Sequence, residues 1–214
     1  MMADQAAEPV RLTRARIVQA AIDLIERDGA DAVSMRRVAA ELGAAAMSLY
    51  HHVPNKAALL DAVVERIVTD IDFGDDPEAP VRDRARGMMR AFRKIAHDHP
   101  RTVNLVITRT FESPTTMRLF EHAMEIARTA GYQGPEAARI AAAFLSYAIG
   151  SLMREARLNK AREVGFDLGK VIGAIDPVQF PNMTSLAASG FQYDPDADFE
   201  YGLELLLKSL PERE

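Results

Sequence analysis

An all-α fold, with a small three-helix unit ahead of a larger helical one, is predicted by three observations on this sequence. Apolar residues recur at helical spacing over most of the chain, and few segments alternate as strands do. Turn signals interrupt that period, among them Asp28-Gly29, Gly43, Pro54-Asn55 and the run Gly131 to Pro135. The length of 214 residues is long for one ordinary domain and fits a division into 1–60 and 61–214.

The elements follow in order. Thr13 is placed to cap a helix whose apolar positions Ile17, Ala20, Ala21, Leu24 and Ile25 share one face, and Gly29 ends it. Ser34 caps a short helix with Met35, Val38, Ala39 and Leu42 inward, closed by Gly43. A third short helix is expected at 45–52, with Leu49 and Val53 inward. Asn55 then caps a long helix burying Leu59, Leu60, Val63 and Ile67. Gly74 and Pro77 mark a break at 74–79, after which helices are expected at 80–98, 101–111, 114–130, 135–162 and 197–210. The stretch 163–196 holds four glycines and three prolines with weak periodicity, so it is expected to be an irregular segment: a lid, a binding loop or disordered.

Composition narrows the function. At 48% hydrophobic and 27% charged residues the chain can bury a sizeable core. The absence of cysteine excludes disulfides and thiolate zinc sites and is compatible with the cytoplasm, the expected location. There is no run of 18 apolar residues and no signal-peptide pattern, so no membrane partner is expected. The net charge of −5 is unevenly distributed: residues 1–60 carry seven Lys/Arg and seven Asp/Glu, which leaves the whole deficit in 61–214. Within the front section Arg11, Arg14 and Arg16 lie in an acid-free stretch, and Arg36, Arg37 and Lys56 face only Glu41 across 34–60. Binding to phosphates requires a local basic face rather than a basic protein, so duplex DNA is the expected partner of the front section alone.

The spacing from Ser34 to Val53 supports that expectation. Two short helices joined by a tight turn at Gly43 pack across each other steeply and leave the second projecting. Its polar residues, with Lys56 just beyond, are Ser48, Tyr50, His51 and His52. The run from Thr13 to Val63, with the helix-ending Asp28-Gly29, the cap Ser34, the turn Leu42-Gly43 and the stretch LYHHVPNKAALL, closely resembles the N-terminal domain of the tetracycline-repressor (TetR) family. The rest of the chain resembles that family's ligand-binding and dimerisation domain more loosely, by length, helix order and the turn at 128–132.

The resemblance implies a helix-turn-helix in which Arg36 reaches a guanine edge, Ala46, Met47 and Ser48 face bases, and Tyr50, His51, His52 and Lys56 hold phosphates or the groove wall. Arginine can bond guanine O6 and N7 together, whereas Lys and Tyr position the duplex. Ala46 and Met47 make no directional bonds to bases, so thymine methyl contacts and DNA deformability must carry the remaining specificity. Arg36 as a solvated side chain, Tyr50 as a cap on the small core and the histidines as neutral surface groups are the plainer readings.

In the larger domain Met88 and Phe92 share a face, as do Met117, Phe120 and Met124, and Phe144 and Tyr147 form a third apolar group. With the family's cavity in mind, Met88, Phe92, Leu105, Phe120, Met124, Phe144 and Tyr147 are expected to line an effector pocket, with Asn104 or Arg109 as polar anchor. The plainer alternative is core for the apolar set and surface for the polar one. His97 and His99 point apart on a helix and give no metal site, and no cofactor is expected. The tetracycline-binding branch of the family uses a His to reach magnesium-bound drug; no His lies between 100 and 121 here, and Ile107 stands at the aligned position. Small residues Ala137, Ala138, Ala141, Ala142 and Ala143 open the long helix, and the last one offers Phe199, Leu203, Leu206, Leu207 and Leu210. The family pairs these two helices in a homodimer, whereas the alternative is that both complete the monomer's own core.

The expected function is therefore a DNA-binding transcriptional regulator, a repressor released from a palindromic operator by a small apolar effector. The alternatives are a helical interaction protein or an enzyme using the larger domain's cavity. No GxSxG, HExxH, phosphate-cradling glycine loop or cysteine nucleophile is present, and no catalytic residue is nominated.

Overall fold

The computed structural model describes residues 11–109 and 114–212. Among these residues there are eleven α-helices and no strand: α1 (Arg14–Asp28), α2 (Met35–Glu41), α3 (Ala46–Tyr50), α4 (Lys56–Thr69), α5 (Val81–Asp98), α6 (Val103–Arg109), α7 (Pro114–Thr129), α8 (Gly134–Glu163), α9 (Leu168–Gly173), α10 (Pro181–Ala188) and α11 (Pro195–Leu207). A single 3-10 turn at Ala30–Ala32 joins α1 to α2. The chain forms two compact units, one of residues up to Asp75 with Arg90–Glu125, the other of Asp76–Met89 with the chain from Ile126 onward.

In the first unit the caps lie where local chemistry puts them. The Thr13 hydroxyl accepts from the Arg16 amide, Ser34 Oγ from the Arg37 amide, and Asn55 Oδ1 from the Ala58 amide at 2.8 Å. Each satisfies an amide that the first turn of a helix leaves without a carbonyl partner. The core beneath is Ile17, Leu24, Ile25, Val38, Leu49, Leu59, Val63 and Ile67, all nearly or fully buried. Gly43 sits at φ +61°, in the left-handed region where a side chain would strain the turn between α2 and α3.

In the second unit α8 packs on α11. Tyr147 stacks on Phe199, and its hydroxyl donates to the Phe199 carbonyl at 2.7 Å. Gly202 lies under that ring: a Cβ there would stand 2.3 Å from the Tyr147 hydroxyl oxygen. Arg82 and Arg86 of α5 reach α11 and the residues after it, bonding the Leu210 carbonyl and Glu204.

Two expectations are corrected. The segment 163–196 is not irregular, because it carries α9 and α10. Asp167 caps α9 by accepting from the Lys170 amide, and Pro181 opens α10 with a φ already suited to a helix. At six and eight residues these helices are too short to display a period. Leu203 and Leu207 are not the outward face of α11: they are 0% and 1% exposed within the chain's own fold, together with Phe199 and Leu210. Tyr201 and Leu205, 71% and 51% exposed, are the apolar residues that α11 turns outward.

Candidate nucleic-acid interface and its connections

The candidate interface is built from α2 and α3, which pack together, and from the start of α4. Arg36 and Arg37 follow the Ser34 cap, and both are exposed. Arg37 is tied down, since its guanidinium donates to Asp28 and to the Ala32 carbonyl. Arg36 forms no hydrogen bond or ion pair to any described residue, so its guanidinium is available. On α3, Leu49 is fully buried and anchors the helix, while Met47 is 72% and Tyr50 44% exposed. Ala46 and Ser48 are half-buried, and His51, His52 and Lys56 are exposed.

Ion pairs fix this interface to its frame. Arg27 at the end of α1 bonds Glu41 at the end of α2, and the hydrogen bond from that guanidinium holds the Glu41 carboxyl below the usual carboxylate range. Arg14 pairs with Glu65, linking the starts of α1 and the body of α4. Arg14 is thereby engaged by Glu65, whereas Arg11 is exposed.

The start of α6 is held by α1 through contacts the sequence did not disclose. Glu26 accepts from the amides of Arg101 and Thr102 and from the Thr102 hydroxyl, while Arg101 donates to the Arg27 carbonyl at 2.6 Å. Thr102 is 0% exposed, so Glu26 provides the hydrogen bonds that its buried polar atoms require. At the other end of α6, Arg109 pairs with Asp61 of α4. The helix is thus latched at both ends. Glu26, Asp61 and Thr102 carry no motif, and a separation of 76 residues hides the Glu26 contact from any local pattern.

The residues expected to hold an effector lie as follows. Met88, Phe92 and Phe144 are buried, Leu105, Phe120, Met124 and Tyr147 are half-buried, and Asn104 is exposed. Arg109 is engaged by Asp61, and the Tyr147 hydroxyl by the Phe199 and Asp198 carbonyls. Met117, expected on the same face as Phe120, is 51% exposed. His122 stacks on Phe73, with ring centroids 4.5 Å apart, and lies 3.8 Å from Asp75. No cluster of three metal-ligating side chains exists among the described residues. No helix among them is long and apolar enough to cross a membrane.

Residues 17–63 match the family described as bacterial regulatory proteins, tetR family, and residues 73–213 the tetracyclin repressor-like C-terminal domain. The HTH-type transcriptional repressor DrrR1 of Streptomyces coeruleorubidus is 30% identical over 93% of this chain and 77% of its own length. The class A tetracycline repressor from transposon 1721 of Escherichia coli is 25% identical over 92% of this chain and 89% of its own. Among solved structures, the TetR family protein ActR of Streptomyces coelicolor in complex with actinorhodin superposes with a TM-score of 0.77 at 27% identity, covering 94% of this chain and 97% of that one. ActR in complex with (S)-DNPA gives the same TM-score at 28% identity, covering 95% and 98%. With both of its segments matched and relatives aligned along nearly its full length, the chain belongs to the TetR family of bacterial transcriptional regulators.

Proposed function

We propose that this regulator is a repressor which binds a palindromic operator as a homodimer and is released from it by a small apolar effector. The observation that carries the reading is the available Arg36 on a capped helix beside the exposed face of α3, on the front section where the chain is not acidic. The functional division is 1–60 for DNA and 61–214 for effector and dimer. Arg36 reads a guanine; Ala46, Met47 and Ser48 contact bases; Tyr50, His51, His52 and Lys56 hold the backbone. The protein acts where the chromosome is, in the cytoplasm, and no catalysis is required of it.

The effector is assigned to Leu105, Phe120 and Met124, whose half-burial supports contact with a ligand, with Asn104 as polar anchor. Met88, Phe92 and Phe144 are buried, and Arg109 and Tyr147 are held by Asp61 and the Phe199 carbonyl. The family's ligand-bound relatives support an effector, since ActR is seen with actinorhodin and with (S)-DNPA. A ligand lowers operator affinity only by preferring the conformation in which the two reading heads are misplaced. The latches from α6 to α1 and α4 are a route for that preference.

Fluorescence anisotropy on a genomic operator duplex tests the reading, with a compound chosen because it both raises the melting temperature and releases the duplex. Met124→Phe is expected to lose both responses while operator affinity stays the same. Binding to duplex DNA that fails to weaken with added salt removes the DNA assignment.

A further inference from the structure

The second unit holds a cavity lined by none of the residues assigned to the effector. Arg154, Leu158 and Arg162 recur every four residues on α8 and so share one face. The chain from Phe166 to Asp198 folds back over that face through α9, α10 and the run Gly190 to Tyr193. Together they line an open cavity of about 810 Å³, within the range of about 300–1,000 Å³ usual for small-molecule sites.

The lining has a specific chemistry. Leu158, Ile172 and Leu186 supply aliphatic wall, and Phe166 and Phe191 present ring faces. Those two phenylalanines are 40% and 46% exposed, apolar surface that a flat molecule would cover. The Tyr193 ring lies against both guanidinium groups, with Arg154 at 5.2 Å and Arg162 at 5.3 Å from its centroid. Two guanidinium groups, Arg154 and Arg162, and two carboxylates, Asp167 and Asp198, stand in the lining. Arg154 is neutralised by Asp198 at 3.1 Å, and Asp167 is engaged by the Lys170 amide and ammonium. Arg162 donates to the Tyr193 carbonyl and pairs with no carboxylate among the described residues.

One uncompensated guanidinium above aromatic and aliphatic walls selects its ligand by exclusion. Apolar walls reject a heavily hydrated phosphate or sugar. A planar guanidinium matches a carboxylate with two parallel hydrogen bonds. Three aromatic rings favour a flat ligand over a flexible chain. We propose that the cavity between α8 and the 166–198 segment binds a planar aromatic monocarboxylic acid, with its carboxylate on Arg162 and its rings against Phe166, Phe191 and Tyr193. This site is independent of the effector assignment and of the operator.

Calorimetric titration of the full chain with 2-naphthoate, 2-naphthylmethanol and decanoate tests it. Naphthoate is expected to bind at about one equivalent per chain, with the alcohol and the fatty acid each about tenfold weaker. Arg162→Gln should lose about tenfold in naphthoate affinity. Leu186→Trp, which fills the cavity and leaves Arg162 in place, should abolish binding. If Arg162→Gln loses its cooperative melting transition, the comparison of naphthoate with the alcohol on unaltered protein decides the same point. An alcohol as tight as the acid, decanoate as tight as naphthoate, binding that survives Leu186→Trp, or no heat at about 1 mM ligand each overturns the proposal. Because the readout is heat rather than release of DNA, its failure leaves the regulator assignment standing.

Discussion

Arg36 and Arg37 are neighbours in sequence with different partners. Arg37 closes the turn between α1 and α2 by bonding Asp28 and the Ala32 carbonyl, while Arg36 holds no described residue. Substitution should separate them. Arg36→Ala is expected to weaken operator binding by about 1–3 kcal/mol and relax preference at one base pair in each half-site. Lys56→Ala should weaken all duplexes alike and flatten the salt dependence by about one ion. Anisotropy titrations against operator and scrambled duplexes at several salt concentrations distinguish the two. Unchanged affinity and selectivity in Arg36→Ala would withdraw it as the reading residue.

Among the elements, α3 and α6 are both short and both depend on their neighbours. Helices of five and seven residues are unstable alone, because few hydrogen bonds offset the cost of nucleation. Buried Leu49 and Val53 hold α3 in place. For α6 the equivalent is polar: Glu26 satisfies the buried Thr102 hydroxyl and amide. Glu26→Ala leaves those groups without their acceptor, and a buried unsatisfied polar group costs about 1–3 kcal/mol. Urea unfolding should show that loss, and hydrogen exchange at the Arg101 and Thr102 amides should accelerate. Unfolding and exchange indistinguishable from the parent protein would dismiss the latch.

At the scale of the whole molecule the question is which surface a second copy covers. On α8 the exposed residues Ala142, Ser146, Gly150 and Met153 form a stripe of small side chains ending in a methionine, and α11 turns Tyr201 and Leu205 outward. Small residues let helices approach closely, and the large apolar groups supply area for a two-fold interface of more than about 1,200 Å². Tyr201→Glu combined with Leu205→Glu should therefore yield folded monomers with lost operator affinity, read by light scattering and circular dichroism. Persistence of the dimer in that variant would move the interface elsewhere. Leu203 and Leu207 are unsuitable for this test, since charges there would enter the chain's own core.

Much of this was legible from neighbouring residues. The caps Thr13, Ser34 and Asn55, the turn at Gly43 and the inward residues of α1 to α4 depend on groups within about four positions of one another, so spacing alone exposes them. The resemblance of 13–63 to the TetR reading head rests on the same short-range pattern. Periodicity also picked out Phe199, Leu203, Leu206, Leu207 and Leu210 on α11, but it could not say whether they belong to the chain's own core or to a partner. That choice depends on distant contacts, such as Tyr147 with Phe199, 52 residues apart, and Arg82 with Leu210, 128 apart. The latch of Glu26 on Thr102 and the cavity lined by Arg162 and Tyr193 are of the same kind. Helix formation is set by hydrogen bonds to residues three and four away, whereas the placing of a buried charge or a cavity wall is settled only when remote segments exclude water together.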